Sequence, residues 1–253
     1  MRDFFCANLS CTSDWLFYCI CKPMTEKRKI IHALVFPLFF LLLMWINYLA
    51  FWILDLDMSL IGISPTKISG LLGIMLSPFA HGGWTHLIAN SISFIILGTL
   101  LFYFYRLVAY PVFFINWFIS GILLWFGGRT TIHIGASGLV YGLAFFIFFS
   151  GVFRKDKRLG ALSMIVVFLY GSMVWGMVPQ GGNISWEGHL FGALSGISLA
   201  WYFRKKTIDF IPEPDGSSVS VTWGQFNDMA YHYVEDEEEP EVNNDPSMDA
   251  KMQ

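Results

Sequence analysis

The run WTHLIANSISFIILGTLLFYFY, residues 84–105, contains no Asp, Glu, Lys or Arg. As a helix rising 1.5 Å per residue it reaches about 33 Å, enough to cross a hydrocarbon layer of about 30 Å. This stretch decides the fold class, because an apolar helix of that length is a membrane span. Its opening turns break the pattern. His86 and Asn90, at i and i+4, put two polar side chains on one face near one end of the span. Polar groups inside a span are expensive and mark function by default.

Working outward, a span-length window finds five more such runs, at 33–54, 107–126, 135–153, 159–178 and 187–203. The fourth and sixth spans are short. Residues 61–80 are apolar too, but Pro65, Gly70, Gly73 and Pro78 interrupt them, which predicts an irregular membrane-associated loop between spans 1 and 2. The composition agrees with six spans: 55% of the 253 residues are hydrophobic and only 14% charged, against roughly 25% charged in a soluble domain. The expected fold is therefore all-α, a polytopic bundle of six transmembrane helices.

Lys and Arg set the orientation. With the N-terminus inside, the inner side receives Lys22, Lys27, Arg28, Lys29, Arg106, Arg154, Lys155, Lys157, Arg158, Arg204, Lys205 and Lys206, while the outer loops hold only Lys67 and Arg129. Both termini are then cytoplasmic, with the chain in the inner (plasma) membrane. Residues 209–253 carry 12 acidic residues and one Lys, so a uniformly basic nucleic-acid binder is excluded. The organisation expected is an N-terminal cytoplasmic segment 1–32, a six-span domain 33–206 and an acidic, disordered tail 207–253. Met24 followed by Thr-Glu-Lys-Arg-Lys reads as a natural start, making 1–23 an upstream extension. Cys6, Cys11, Cys19 and Cys21 lack the paired spacing of a zinc site, and no cofactor or metal is expected.

Spans 2, 4 and 6 all enter from outside, and their first turns carry His86, Ser137 and His189. Three helices thus place polar groups at one depth. Gly138 and Gly142 on span 4, and Gly188, Gly192 and Gly196 on span 6, form small-residue stripes that allow close backbone approach. That approach brings the Ser137 hydroxyl toward the His189 imidazole, the base that a serine nucleophile needs. Gly135-Ala-Ser-Gly138 opens span 4 at a turn whose unpaired N–H groups suit an oxyanion, and His86 and Asn90 are further donors. Tyr141, four residues after Ser137, is placed to stack on His189. Glu187 is expected in the headgroup region, leaving a dyad rather than a triad.

Together these residues resemble the rhomboid family of intramembrane serine proteases, in its six-span bacterial form. The resemblance rests on Phe79-Ala-His81-x4-His86-x3-Asn90, Gly135-Ala-Ser137-Gly138 with Tyr141, and Gly188-His189-x2-Gly192-x3-Gly196. It implies Ser137 as nucleophile, His189 as base, His86, Asn90 and the Ser137 N–H as the oxyanion hole, and His81 as support for the outer loop. It also implies transmembrane protein substrates cut near the outer leaflet, with the site facing the extracytoplasmic side. The chain departs from the pattern in three places: no Trp-Arg pair in the loop, no acidic residue at the inner end of span 2, and Gly188 where alanine is common. Other readings are a catalytically silent rhomboid-like binder or chaperone, a small-solute transporter lined by the polar cluster, and a purely structural bundle.

Overall fold

The computed structural model describes residues 25–179 and 185–206, and the backbone of two short strands. The helices lie within the unit Met24–Asp209. Of the remainder, the described part is an antiparallel pair, Val219 opposite Tyr233 and Ser220 opposite His232. The expected upstream extension 1–23 falls outside the described residues, as does nearly all of the acidic tail.

The first helix, α1 (Glu26–Ile53), starts seven residues before the predicted span. Hydropathy omits its charged opening turn, but that turn is paired: Lys29 bonds Glu26 at 2.8 Å, and the Tyr103 hydroxyl donates to Glu26 at 2.8 Å. After α1 the chain runs irregularly through 3-10 turns at Met58–Ile61, Ile68–Gly70 and Ser77–Phe79, with one short helix, α2 (Leu71–Leu76). Then follow α3 (Trp84–Phe104), α4 (Ala109–Gly127), α5 (Ser137–Arg154), α6 (Lys157–Tyr170) and α7 (Trp186–Tyr202). The fifth predicted span is only partly α-helical, since α6 gives way to a 3-10 stretch at Gly171–Met177.

Among the described residues, five helical segments are long and apolar enough to cross a membrane: α1, α3, α4, α5 and Lys157–Met177. The sixth expected span, α7, is not among them. Its 17 residues reach about 26 Å, and Glu187, His189 and three glycines lower its hydropathy. The packing supplies the reason: α7 lies against α4 and α5, and its Gly188, Gly192, Ala193, Ser195, Gly196 and Ala200 are buried in protein. A helix walled by other helices need not be apolar all round. By contrast, Phe39 on α1 (55% exposed) and Phe168 on α6 (88%) point outward, as lipid-facing residues do.

The α5–α7 contact is the closest in the bundle. A Cβ on Gly192 would run into the Gly138 carbonyl, and one on Gly196 would meet the Gly142 carbonyl. Backbone therefore touches backbone at both glycines. Helices α1, α3 and α4 pack on one another through aromatic rings: Phe40 stacks on Phe94 (4.9 Å) and meets Phe113 edge-on (5.3 Å). At the other end Arg154 of α5 donates to the carbonyls of Phe203 and Lys206, tying α5 to the C-terminal end of α7.

Gly192→Val should therefore force α5 and α7 apart. An overpacking cost of roughly 1–3 kcal/mol is expected, read as a lowered thermal midpoint in detergent. Gly160→Ala, where an added Cβ meets nothing within 4 Å, should leave that midpoint unchanged or higher.

Candidate active site

Ser137 is the first residue of α5. Two anchors hold the loop before it. Ile63 and His133 exchange both backbone hydrogen bonds (2.8 and 2.9 Å), and the Gly135 N–H donates to the Ser77 carbonyl at 2.9 Å. Gly135 has φ +111°, a conformation that favours glycine. It also leaves room for α3, since a Cβ there would lie 2.8 Å from His86 Nε2 and 3.5 Å from Asn90 Nδ2. His86 and Asn90 thus converge two residues before Ser137. The Asn90 Nδ2 is buried without a partner, so a donor is held ready for an acceptor that a ligand would bring. His81, 1% exposed, lies edge-on to His86 at 5.0 Å. Burial, with the His86 ring beside it, pushes His81 down to about 4, so it is neutral at pH 7.

His189 lies in the second turn's approach on α7 and faces Tyr141. Their rings are parallel within 4°, with centroids 4.2 Å apart. Tyr141 is one turn along α5 from Ser137, so the imidazole lies on the Ser137 face of that helix. Gly138 meets the Gly188 carbonyl there, where a Cβ would sit 3.1 Å from the oxygen. The 3-10 stretch after α6 fixes both rings. The Met173 carbonyl accepts from the Tyr141 hydroxyl at 2.9 Å, and the Gly176 carbonyl lies 2.8 Å from His189 Nδ1. A carbonyl can only accept, so the neutral ring carries its proton on Nδ1 and leaves the Nε2 lone pair free. That orienting carbonyl was missed by sequence reasoning, which took 159–178 as one continuous helix; Gly171 and Gly176 were the available signals.

Glu187 is 3% exposed, and its carboxylate is gripped by Arg129 from the loop after α4. The partners are 58 residues apart, which no local pattern reveals. A cavity of about 40 Å3 opens beside Ser137, lined also by Ser77, Trp117, His133, Ser185 and Gly188. It has room for one or two waters.

A family model for the rhomboid domain matches residues 69–206, more than half of the chain. The chain belongs to the rhomboid family. An uncharacterized protein of Mycobacterium tuberculosis is 35% identical over 153 residues, covering 55% of this chain and 62% of that protein. This chain therefore spans less than two thirds of that relative's length. An uncharacterized protein of Mycobacterium leprae is 32% identical over 196 residues, 71% of this chain and 76% of its own. A Bacillus subtilis protein provisionally named a rhomboid protease is 30% identical over 133 residues, 50% of this chain and 64% of its own. The rhomboid match takes in the irregular segment from α2 onward and every residue of the cluster around Ser137.

The His189 tautomer is directly measurable. In 15N-histidine NMR its proton should sit on Nδ1. Gly176→Ala, whose Cβ would collide with the Tyr141 hydroxyl and lie 3.2 Å from His189 Nδ1, should mix the tautomers. A wild-type ring protonated on Nε2 would contradict the geometry.

Proposed function

We propose that this rhomboid family member is an intramembrane serine endopeptidase that cuts single-span membrane proteins near the outer leaflet. One observation carries the reading: His189 stacks on Tyr141, one turn along α5 from Ser137, while the Gly176 carbonyl holds its Nδ1, which leaves Nε2 as the basic nitrogen. A serine hydroxyl becomes a useful nucleophile only beside such a base. The name of the Bacillus subtilis relative points to the same chemistry.

In the first step His189 Nε2 takes the Ser137 proton as Oγ attacks the substrate carbonyl. The negative oxygen of the tetrahedral intermediate is met by Asn90 Nδ2, His86 and the unpaired N–H groups opening α5. His189 then gives its proton to the departing amine, leaving an ester on Ser137. Water from the adjoining cavity, deprotonated by the same imidazole, cleaves that ester and restores the hydroxyl. No carboxylate takes part, since the Gly176 carbonyl orients the ring and Glu187 is committed to Arg129. A hydrogen-bonded helical carbonyl is poorly presented to Oγ, so substrates should carry small residues at the cut and helix breakers just inward.

In this reading the site opens to the extracytoplasmic side of the inner membrane, both termini are cytoplasmic, and 33–206 is the protease domain. Residues 1–23 and the tail beyond Asp209 are dispensable for cleavage.

The test is cleavage of a panel of single-span substrates in proteoliposomes. Ser137→Ala and His189→Ala should each abolish cleavage, and the double variant should be no worse, because the pair acts as a unit. Asn90→Ala removes one donor and should slow cleavage by at most about 10²–10³-fold. Robust proteolysis by Ser137→Ala would overturn the proposal.

A further inference from the structure

Beside the dyad lies a second chain of hydrogen bonds that the mechanism above does not use. His133 is 3% exposed, and its backbone is pinned on both sides to Ile63. Its Nε2 lies 3.1 Å from the Arg129 carbonyl, and its Nδ1 lies 2.7 Å from Ser185 Oγ. The carbonyl accepts only, so the neutral ring holds its proton on Nε2 and leaves Nδ1 as an acceptor. The Ser185 hydroxyl must then donate to Nδ1. The same oxygen accepts from the Gly188 N–H at 3.3 Å and caps α7. The Ser185 carbonyl meanwhile accepts from the His189 N–H, also at 3.3 Å. Every bond in this chain has one permitted direction, and it ends on the residue that carries the base.

We infer that His133 and Ser185 form a directed relay that holds the first turn of α7, and with it the aim of His189 at Ser137. The inference rests on the serine protease reading above. His133 and Ser185 are positioning residues, since neither lies in the dyad. Arg129 and Glu187 form a parallel strut between the same loop and the same turn. The relay has a polarity that protonation reverses: with a proton on Nδ1 the ring donates to Ser185 Oγ, whose own hydrogen turns away, so the oxygen then accepts from both Nδ1–H and the Gly188 N–H. The groups facing the ring are Arg129 on its own loop, and Ser185 and Glu187 at the start of α7. Burial pulls His133 below its ordinary value, the Arg129 carbonyl bond and Glu187 oppose that pull, and the Arg129 charge adds to it. The ring is therefore neutral at pH 7, where the Ser185 hydroxyl donates to Nδ1, and that direction is replaced by the reverse one as pH falls through the His133 pKa.

The experiment is the kcat–pH profile of the full chain in proteoliposomes, with KM measured at each pH. His133→Asn keeps an acceptor near Ser185 but cannot titrate, so its acid limb should be shallower than wild type, leaving only the His189 limb. Ser185→Asp keeps the cap on Gly188 yet offers His133 a carboxylate. That favours the imidazolium and should move the acid limb to higher pH by about one unit or more, with kcat lowered and KM unchanged. Ser185→Thr restores both bonds and should recover most of the wild-type profile. Superimposable profiles for wild type, His133→Asn and Ser185→Asp would overturn the relay. If the wild-type protein cut no substrate, the protease reading would fail. The relay would then be read by 15N-histidine NMR, where a His133 proton on Nε2, with a midpoint raised in Ser185→Asp, supports it, and a proton on Nδ1 overturns it.

Discussion

Everything at the Ser137 site depends on two backbones that touch. Where Gly192 and Gly196 of α7 meet the Gly138 and Gly142 carbonyls of α5, α7 has no space for a methyl group. In a bilayer, helices gain nothing by hiding apolar surface from water, and their association relies on close packing of this kind. The contact has two consequences. It allows α7 to be short and weakly apolar along the face packed on α4 and α5, while Leu194, Trp201 and Tyr202 face outward. It also brings His189 against Tyr141, so that a ring from one helix lies flat on a ring from the other. Without the glycine contact, the serine and the histidine are merely two polar residues at the same depth.

A polar cluster in a membrane must be satisfied by the protein, and here backbone does much of that. The 3-10 stretch Gly171–Met177 turns carbonyls away from a helical ladder and toward Tyr141 and His189. A carbonyl orients an imidazole as a carboxylate would, without bringing a charge that the low-dielectric surroundings would penalise. The one carboxylate near the site, Glu187, is neutralised by Arg129 at the start of α7. Asn90 Nδ2 is left buried and unbonded, as are both ring nitrogens of His81. Such groups cost stability in the resting state, and in the proposed mechanism the cost at Asn90 is recovered when an oxyanion arrives.

The helices were legible in the sequence because apolar runs and their charged boundaries are local. The stretch 84–105 matches α3 (Trp84–Phe104) closely. The i, i+4 spacings also carried far: His86 with Asn90, and Ser137 with Tyr141, are set by helical geometry alone. What failed was everything that depends on backbone or on distant partners. An apolar window cannot tell an α-helix from the 3-10 turn that replaces it at Gly171, so the Gly176 carbonyl was invisible. The pairing of Glu187 with Arg129 was invisible because the partner lies in another loop, and a buried ion pair leaves no periodic trace. His133 and Ser185 are 52 residues apart, and no local pattern links them before the fold joins them.

In the proposed mechanism Ser137 is activated by a His189 ring held in one tautomer by Gly176 and Tyr141. That activation is read from the rate at which a fluorophosphonate phosphonylates Ser137 in the purified protein, followed by mass spectrometry of the peptide containing residue 137. Rapid labelling of Ser137 is expected in the wild type, with loss of that labelling in His189→Ala and a marked slowing in Gly176→Ala. Labelling of Ser137 at an unchanged rate in His189→Ala would contradict it.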